Sequence, residues 1–233
     1  MAKHLDLEEQ EQLADIKHFW SQYGNLISWV VIVVFGSIAA WNGWHYWQGT
    51  QAGQAATLYD EVERAAQAGE TARVERAFSD MQDKFGRTTY AQQAGLLAAK
   101  TFEEKGKPEQ AKAALAWVAD RASDEGYQAV AHLRLATLLI EAKAYDEALK
   151  QLSGSFPREF EALAADRRGD VYKLQGKQEQ ARAEYTKAYK GMDEQAEYRR
   201  LIEVKLTALG VDTKQLAPVA PAAAPAASGV AKS

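Results

Sequence analysis

The sequence predicts an all-α protein in which a single N-terminal transmembrane helix is followed by an α-solenoid of stacked helical hairpins. Three observations carry this reading. Residues 18 to 59 contain no Asp, Glu, Lys or Arg. From Gln48 to Leu209 the chain is rich in Ala, Leu, Glu, Lys and Gln, which favour helix, and has no run of alternating β-branched residues. A turn-plus-helix pattern then recurs: Ala111, Ala148 and Ala181 each follow a tight turn, at spacings of 37 and 33 residues.

Residues 1–25 read as an arm, helical over 5–23. Leu13, Ile16, Phe19, Trp20 and Tyr23 recur at spacings of three and four, which lines them on one face. Glu11, Asp15, Lys17 and Gln22 occupy the other side. Helices that lie on membranes usually carry a basic polar face, and this one does not. Two roles stay open: lying at the membrane interface, or docking a cytoplasmic protein.

Residues 26–47 read as the membrane span, LISWVVIVVFGSIAAWNGWHYW, within a helix expected over 26–49. At a rise of about 1.5 Å per residue, roughly 20 residues cross a hydrocarbon core of about 30 Å. A helix also satisfies its own backbone in lipid. Trp29 stands near one end, and Trp41, Trp44, Tyr46 and Trp47 cluster at the other, where amphipathic rings favour the headgroup level. A cleaved signal peptide is the first alternative, with Ser37-Ile38-Ala39 as its processing site. It is disfavoured because the preceding arm is long and holds five acids against two Lys. A buried core helix is the second, and a shorter apolar run would suit it better. Lys17 is the nearest basic residue before the span, and Arg64 the first after it. The charge rule therefore puts the N-terminus in the cytoplasm and the large domain in the periplasm. Gly36 with Ala40, and Ala39 with Gly43, form two small-xxx-small pairs that would let another membrane helix approach closely. Ordinary composition competes with that reading. Asn42 and His45 lie close enough to the aromatic end to be hydrated.

Residues 48–210 read as the repeat domain. Gly69, Gly86, Gly106-Lys107-Pro108, Gly154, Pro157, Gly176, Gly191 and Gly210 mark helix ends. The helices expected between them are 52–68, 71–85, 88–105, 108–121, 124–142, 145–153, 157–175, 178–190 and 194–209. The spacing is close to the tetratricopeptide unit of about 34 residues. The fullest copy runs through Ala165, Gly169, Tyr172, Gly176, Ala181, Tyr185 and Ala188. In it Gly169 permits close helix crossing, and Tyr172 and Tyr185 fill the gap. Ala136, Leu139, Ala148 and Leu152 form the second copy, and Ala99, Phe102, Ala111 and Leu115 the first. The pair 52–68 and 71–85 reads as a divergent cap, and 194–209 as a terminal capping helix. Such arrays curve around a concave face lined by the first helix of each pair. Here that face would take Leu96, Lys100, Leu133, Thr137, Asp166, Asp170 and Lys173. Apolar and of both charge signs, it suits an extended peptide or a partner helix. Residues 211–233, with Pro218, Pro221 and Pro225 in an Ala-rich run, read as a disordered hydrated tail.

Composition narrows the function. The net charge is −4 and neither part of the chain is basic, which argues against nucleic acid. There is no cysteine, so no disulfide, thiol chemistry or thiolate metal site. The four His, His4, His18, His45 and His132, have no metal-ligand spacing. No phosphate loop or nucleophile elbow is present. No catalytic, metal or cofactor-binding residue is expected, and the protein reads as non-enzymatic.

The layout resembles a known family. The segments EQLADIKHFWSQYG at 11–24, GWHYW at 43–47 and ADRRGDVYKLQGKQEQARAEY at 165–185, in this order, resemble the ancillary SecYEG translocon subunits of Gram-negative bacteria, which are membrane-anchored tetratricopeptide proteins. The likeness runs from residue 1 to about 210 and omits the Pro/Ala tail. It implies a single-pass inner-membrane protein with a cytoplasmic arm and a periplasmic repeat domain. It implies association with the SecYEG translocon and with a periplasmic prolyl-isomerase chaperone. It also suggests contact between the arm and a cytoplasmic response regulator of envelope stress. A cell-envelope or division scaffold is the remaining alternative.

Overall fold

A computed structural model describes residues 7–216, with the side chains of residues 7–16, Phe19, Ile27 and Gln215 outside that set. The described residues form helices α1 Leu7–Gln67, α2 Thr71–Phe85, α3 Thr89–Glu104, α4 Pro108–Arg121, α5 Glu125–Glu141, α6 Tyr145–Gln151, α7 Arg158–Leu174, α8 Gln178–Gly191 and α9 Glu197–Ala208, then one 3-10 turn, Thr213–Gln215. No strand occurs among them. The chain divides into two compact units, Met1–Gln54 and Ala55–Ser233.

In the first unit the helix continues through residues 24–25 and 50–51, where separate helices were expected. A lone Gly or Asn costs a helix about 1 kcal/mol at most, which is no stop without a proline or a left-handed residue. Polar side chains here also turn inward on the helix. Ser28, Ser37 and Thr50 donate their hydroxyls to the carbonyls of Gly24, Val33 and Tyr46.

In the second unit, the other helix bounds fall within three residues of expectation. One turn is used five times. Gly69, Gly106, Lys143, Gly176 and Gly210 adopt left-handed backbone, with φ of 68°, 67°, 59°, 75° and 79°. At Gly106 the N–H bonds to the Glu103 carbonyl and the next N–H to that of Phe102. The same pair of bonds recurs at the other four turns. This pattern closes the carbonyls that a helix C-terminus leaves open.

Small residues then let the helices approach. A Cβ at Gly95 would lie 2.4 Å from Cγ2 of Val118, and one at Gly169 would lie 2.5 Å from Cδ1 of Tyr185. Alanines fill the other close contacts, among them Ala65, Ala77, Ala94, Ala98, Ala111 and Ala148, all buried. Met81, Phe102, Leu115, Val118 and Leu152 occupy the space between hairpins. Burying each such side chain contributes about 1.5–3 kcal/mol. A second cluster gathers Ala165, Ala181, Tyr185, Ala188, Tyr189, Ile202 and Leu206 from α7, α8 and α9.

Residues 211–216 differ from the expected disorder. Val211 and Leu216 pack against this second cluster, and the Thr213 hydroxyl donates to Glu203 at 2.9 Å. The apolar pair gives the chain a reason to fold back before the Pro/Ala run begins. Pro218, Pro221 and Pro225 lie outside the described residues.

Candidate anchor and partner-binding surfaces

The first unit contains a helix long and apolar enough to cross a membrane, starting at Trp20. Its residues 28–50 are exposed, as lipid-facing residues are and core residues are not. Gly36, Ala39, Ala40 and Gly43 are exposed, and a Cβ added at Gly36 or Gly43 would touch nothing within 4 Å. The small-residue faces are therefore open along the helix. Asn42 donates to the Ile38 carbonyl at 3.0 Å, which lowers the cost of its amide in lipid. His45 packs beside Trp41, with ring centroids 4.7 Å apart. In the arm, Trp20 and Tyr23 are exposed, while the side chains of Leu13, Ile16 and Phe19 lie outside the described residues.

In the second unit the seven residues expected on one concave face divide among three environments. Leu96 and Leu133 are half-buried against the first core, and Lys100 is exposed and pairs with Glu104 at 3.8 Å. Thr137 donates to the Leu133 carbonyl and lines an open cleft. Lys173 is exposed in the last turn of α7. Asp166 does not line an open groove, because it is fully buried beneath α9. It accepts hydrogen bonds from the Tyr198 hydroxyl at 2.7 Å and from Lys205 Nζ at 2.8 Å. Asp170, half-buried beside it, accepts from the Tyr185 hydroxyl at 2.7 Å and pairs with Lys205 at 2.7 Å and Arg167 at 3.2 Å. The register places these carboxylates toward α9, so they hold the terminal helix.

Buried charge requires this closure. Burial, the Asp170 hydrogen bond and nearby negative charge push the Tyr185 hydroxyl well above its usual value. Burial and the bond to Asp166 push Tyr198 up to about 12. Arg168 ties the preceding turn to α8, bonding the Leu152 carbonyl at 2.9 Å and Glu184 at 2.7 Å. Sequence reading missed Tyr198, Lys205 and Arg168 as partners. The signal available was Asp166 and Asp170 on one face of a helix whose neighbour carries Lys205.

The open cleft lies between the C-terminal ends of α3 and α5 and has a volume of about 550 Å³. Glu103, Gly106, Pro108, Arg134, Thr137, Leu138 and Glu141 line it. Among the described residues Glu103, Arg134 and Glu141 make no ion pair within 4 Å. Burial pushes the Glu103 carboxyl up, Arg134 opposes this, and Glu141 and Glu104 add to it. No group of three or more His, Cys, Asp or Glu among the described residues is arranged to hold a metal.

These features define a class: a single-pass membrane protein whose bulk is a helical-repeat domain. The family description "Tetratricopeptide repeat-like domain" matches residues 17–211. An ancillary SecYEG translocon subunit of Neisseria gonorrhoeae is 31% identical over 213 residues, covering 90% of this chain and all of the relative. Proteins of the same name from Escherichia coli and Haemophilus influenzae are 28% and 27% identical, covering 87% and 78% of this chain and 97% and 89% of those relatives. The chain belongs to this family of ancillary translocon subunits with a tetratricopeptide repeat-like domain.

Proposed function

We propose that this protein is a non-enzymatic adaptor held beside the SecYEG translocon by its membrane helix, with the repeat domain in the periplasm. There the domain would receive a prolyl-isomerase chaperone and help pass newly translocated proteins onward. The observation that carries this is the match of the whole layout, span and repeats together, to relatives named for the translocon. Physically, the open small-residue faces at Gly36–Ala40 and Ala39–Gly43 suit close packing against another membrane helix. Anchoring also raises the local concentration of the domain near emerging chains. The orientation follows from the basic residues that flank the span. Residues 1–25, 26–47, 48–210 and 211–233 serve in this reading as arm, anchor, adaptor and tail.

Photo-crosslinking in intact cells, with probes at Gly36, Ala40, Leu133 and Lys173, tests it. Translocon subunits on the anchor probes and a periplasmic chaperone on the repeat probes are expected. Division proteins or self-adducts alone would turn the reading toward an envelope scaffold. The exposed Trp20 and Tyr23 favour a second task for the arm, docking a cytoplasmic response regulator. Under that reading, Trp20→Asp with Tyr23→Asp changes envelope-stress output while translocon copurification persists. Unchanged output removes the second task.

A further inference from the structure

Helix dipoles favour cations near C-termini, and this chain follows that rule with one localised departure. Among the described helices, α1, α2, α4, α6, α7, α8 and α9 place Arg64, Lys84, Arg121, Lys150, Lys173, Lys190 and Lys205 in their last turns. Only α3 and α5 have no basic residue there, with Lys105 standing just past the last turn of α3 as its C-cap. They end instead in Glu103-Glu104 and Glu141, and these are the two helices whose ends flank the 550 Å³ cleft. Each carboxylate meets the negative end of its own helix. Among the described residues neither Glu103 nor Glu141 has a cation within 4 Å, and Arg134 is the one cationic side chain lining the space. Glu103, Glu141 and Arg134 are all exposed, so the two carboxylates are open to a cation delivered from outside. The upward push on Glu103 agrees, since Arg134 does not offset the burial and the two neighbouring acids.

The walls say what carries that cation. Leu138 and Pro108 offer apolar surface beside the carboxylates, which matches a side chain with an alkyl stem and a charged tip. Helical spacing extends the same sides of α3 and α5 beyond the cleft. Leu96, Lys100 and Glu103 recur at i, i+4 and i+7 on α3, and Leu133, Thr137 and Glu141 at i, i+4 and i+8 on α5. Leu96 and Leu133 are half-buried and so present apolar surface further along. We propose that this cleft seats a lysine or arginine side chain of an extended apolar-basic protein segment, with the cation between Glu103 and Glu141 and the stem on Leu138. The proposal rests on the adaptor reading and names the chemistry of the segment that the domain receives. An acidic segment would meet two carboxylates against one guanidinium and is disfavoured.

The test uses the full chain in non-ionic detergent and the fluorescein-labelled peptide Ala-Leu-Lys-Ala-Leu-Lys-Ala, with Glu in both Lys positions as its counterpart. Fluorescence anisotropy at low salt gives the affinities. Glu103→Gln with Glu141→Gln weakens the lysine peptide about three- to tenfold, as two partly exposed ion pairs would. Arg134→Gln tightens it about twofold, a gain that misfolding would not produce. Both substitutions act in the opposite direction on the glutamate peptide. Equal affinity of the native and double-Gln chains for the lysine peptide overturns the proposal. So does tighter binding of the glutamate peptide, or no binding of either. Copurification of translocon subunits is followed in parallel. Subunits retained by both chains with unchanged peptide affinity refute the cleft alone, whereas their absence from the native chain refutes the translocon reading.

Discussion

Replacing Gly169 with Ala sets helix propensity against packing, and the geometry decides the sign. On propensity alone Ala stabilises a helix interior over Gly by about 1 kcal/mol. The new Cβ, however, would stand 2.5 and 2.6 Å from Cδ1 and Cε1 of Tyr185. Ordinary carbon contacts are about 3.5–4.0 Å, so the ring must retreat by roughly 1 Å. It has little freedom to do so. Tyr185 is fully buried, its hydroxyl donates to Asp170 at 2.7 Å, and Lys205 Nζ stands 5.3 Å from its ring centroid. Overpacking costs about 1–3 kcal/mol, and a strained hydrogen bond to a charged acceptor up to about 1.5–3 more. Net destabilisation of about 2–4 kcal/mol is expected. Urea unfolding followed by circular dichroism, on the chain lacking residues 1–47, reads it. Gly154→Ala, where an added Cβ meets nothing within 4 Å, is the control and should change stability by less than about 0.5 kcal/mol. Tyr185→Leu in the Gly169→Ala background should recover part of the loss, visible as a favourable coupling in the double-mutant cycle. A Gly169→Ala chain as stable as the parent, or more so, would refute the close-crossing argument.

Three further outcomes follow from the same geometry. Lys143, the one described non-glycine residue with positive φ, should give a chain about 0.5–1 kcal/mol more stable when replaced by Gly, measured by urea midpoint. Lys205→Met strands the buried carboxylate of Asp166 and should cost about 3–5 kcal/mol, whereas Lys173→Met, at the exposed last turn of α7, should change stability little. Because Tyr198 is held up at about 12 in the folded chain against an ordinary value of about 10, the folded state keeps a proton that the unfolded state releases. Its contribution is full below pH about 10 and is lost as pH rises toward 12, so urea midpoints should fall across that window, and less steeply in Tyr198→Phe.

Much of the fold was legible because it repeats. Gly106, Lys143 and Gly176 stand in equivalent places before Ala111, Ala148 and Ala181, and all three prove left-handed. Propensity alone would not put Lys143 there, but its register in the repeat does. The fusion of the expected helices 5–23, 26–49 and 52–68 was not legible. Gly24, Asn25 and Thr50 look like punctuation locally, yet none forces a left-handed turn. The inner face was legible only in part. Helical periodicity shows that Asp166, Asp170 and Lys173 share a side of α7, but not that α9 returns over the first two. That depends on Tyr198, Ile202, Lys205 and Leu206, which lie 32 to 40 residues from Asp166 and belong to no full repeat.

Two kinds of acidic residue break local rules in this domain, and the structure separates them by whether the violation is closed. Asp166 is a carboxylate with no exposed surface, a costly placement in isolation, yet a tyrosine and a lysine from α9 satisfy it. Its irregularity is consumed in the fold, since it fixes which helix ends the array. Glu103 and Glu141 sit at the disfavoured ends of α3 and α5, and no described residue pairs with them within 4 Å. A sequence that supplies a basic residue to the last turn of every other described helix omits it at these two alone. Local propensity, turn chemistry and core packing agree elsewhere, so a departure left open by the fold points outward. The same criterion explains why Asp170 and Glu184, equally acidic but fully engaged by Tyr185, Lys205, Arg168 and Lys187, do not mark a binding surface.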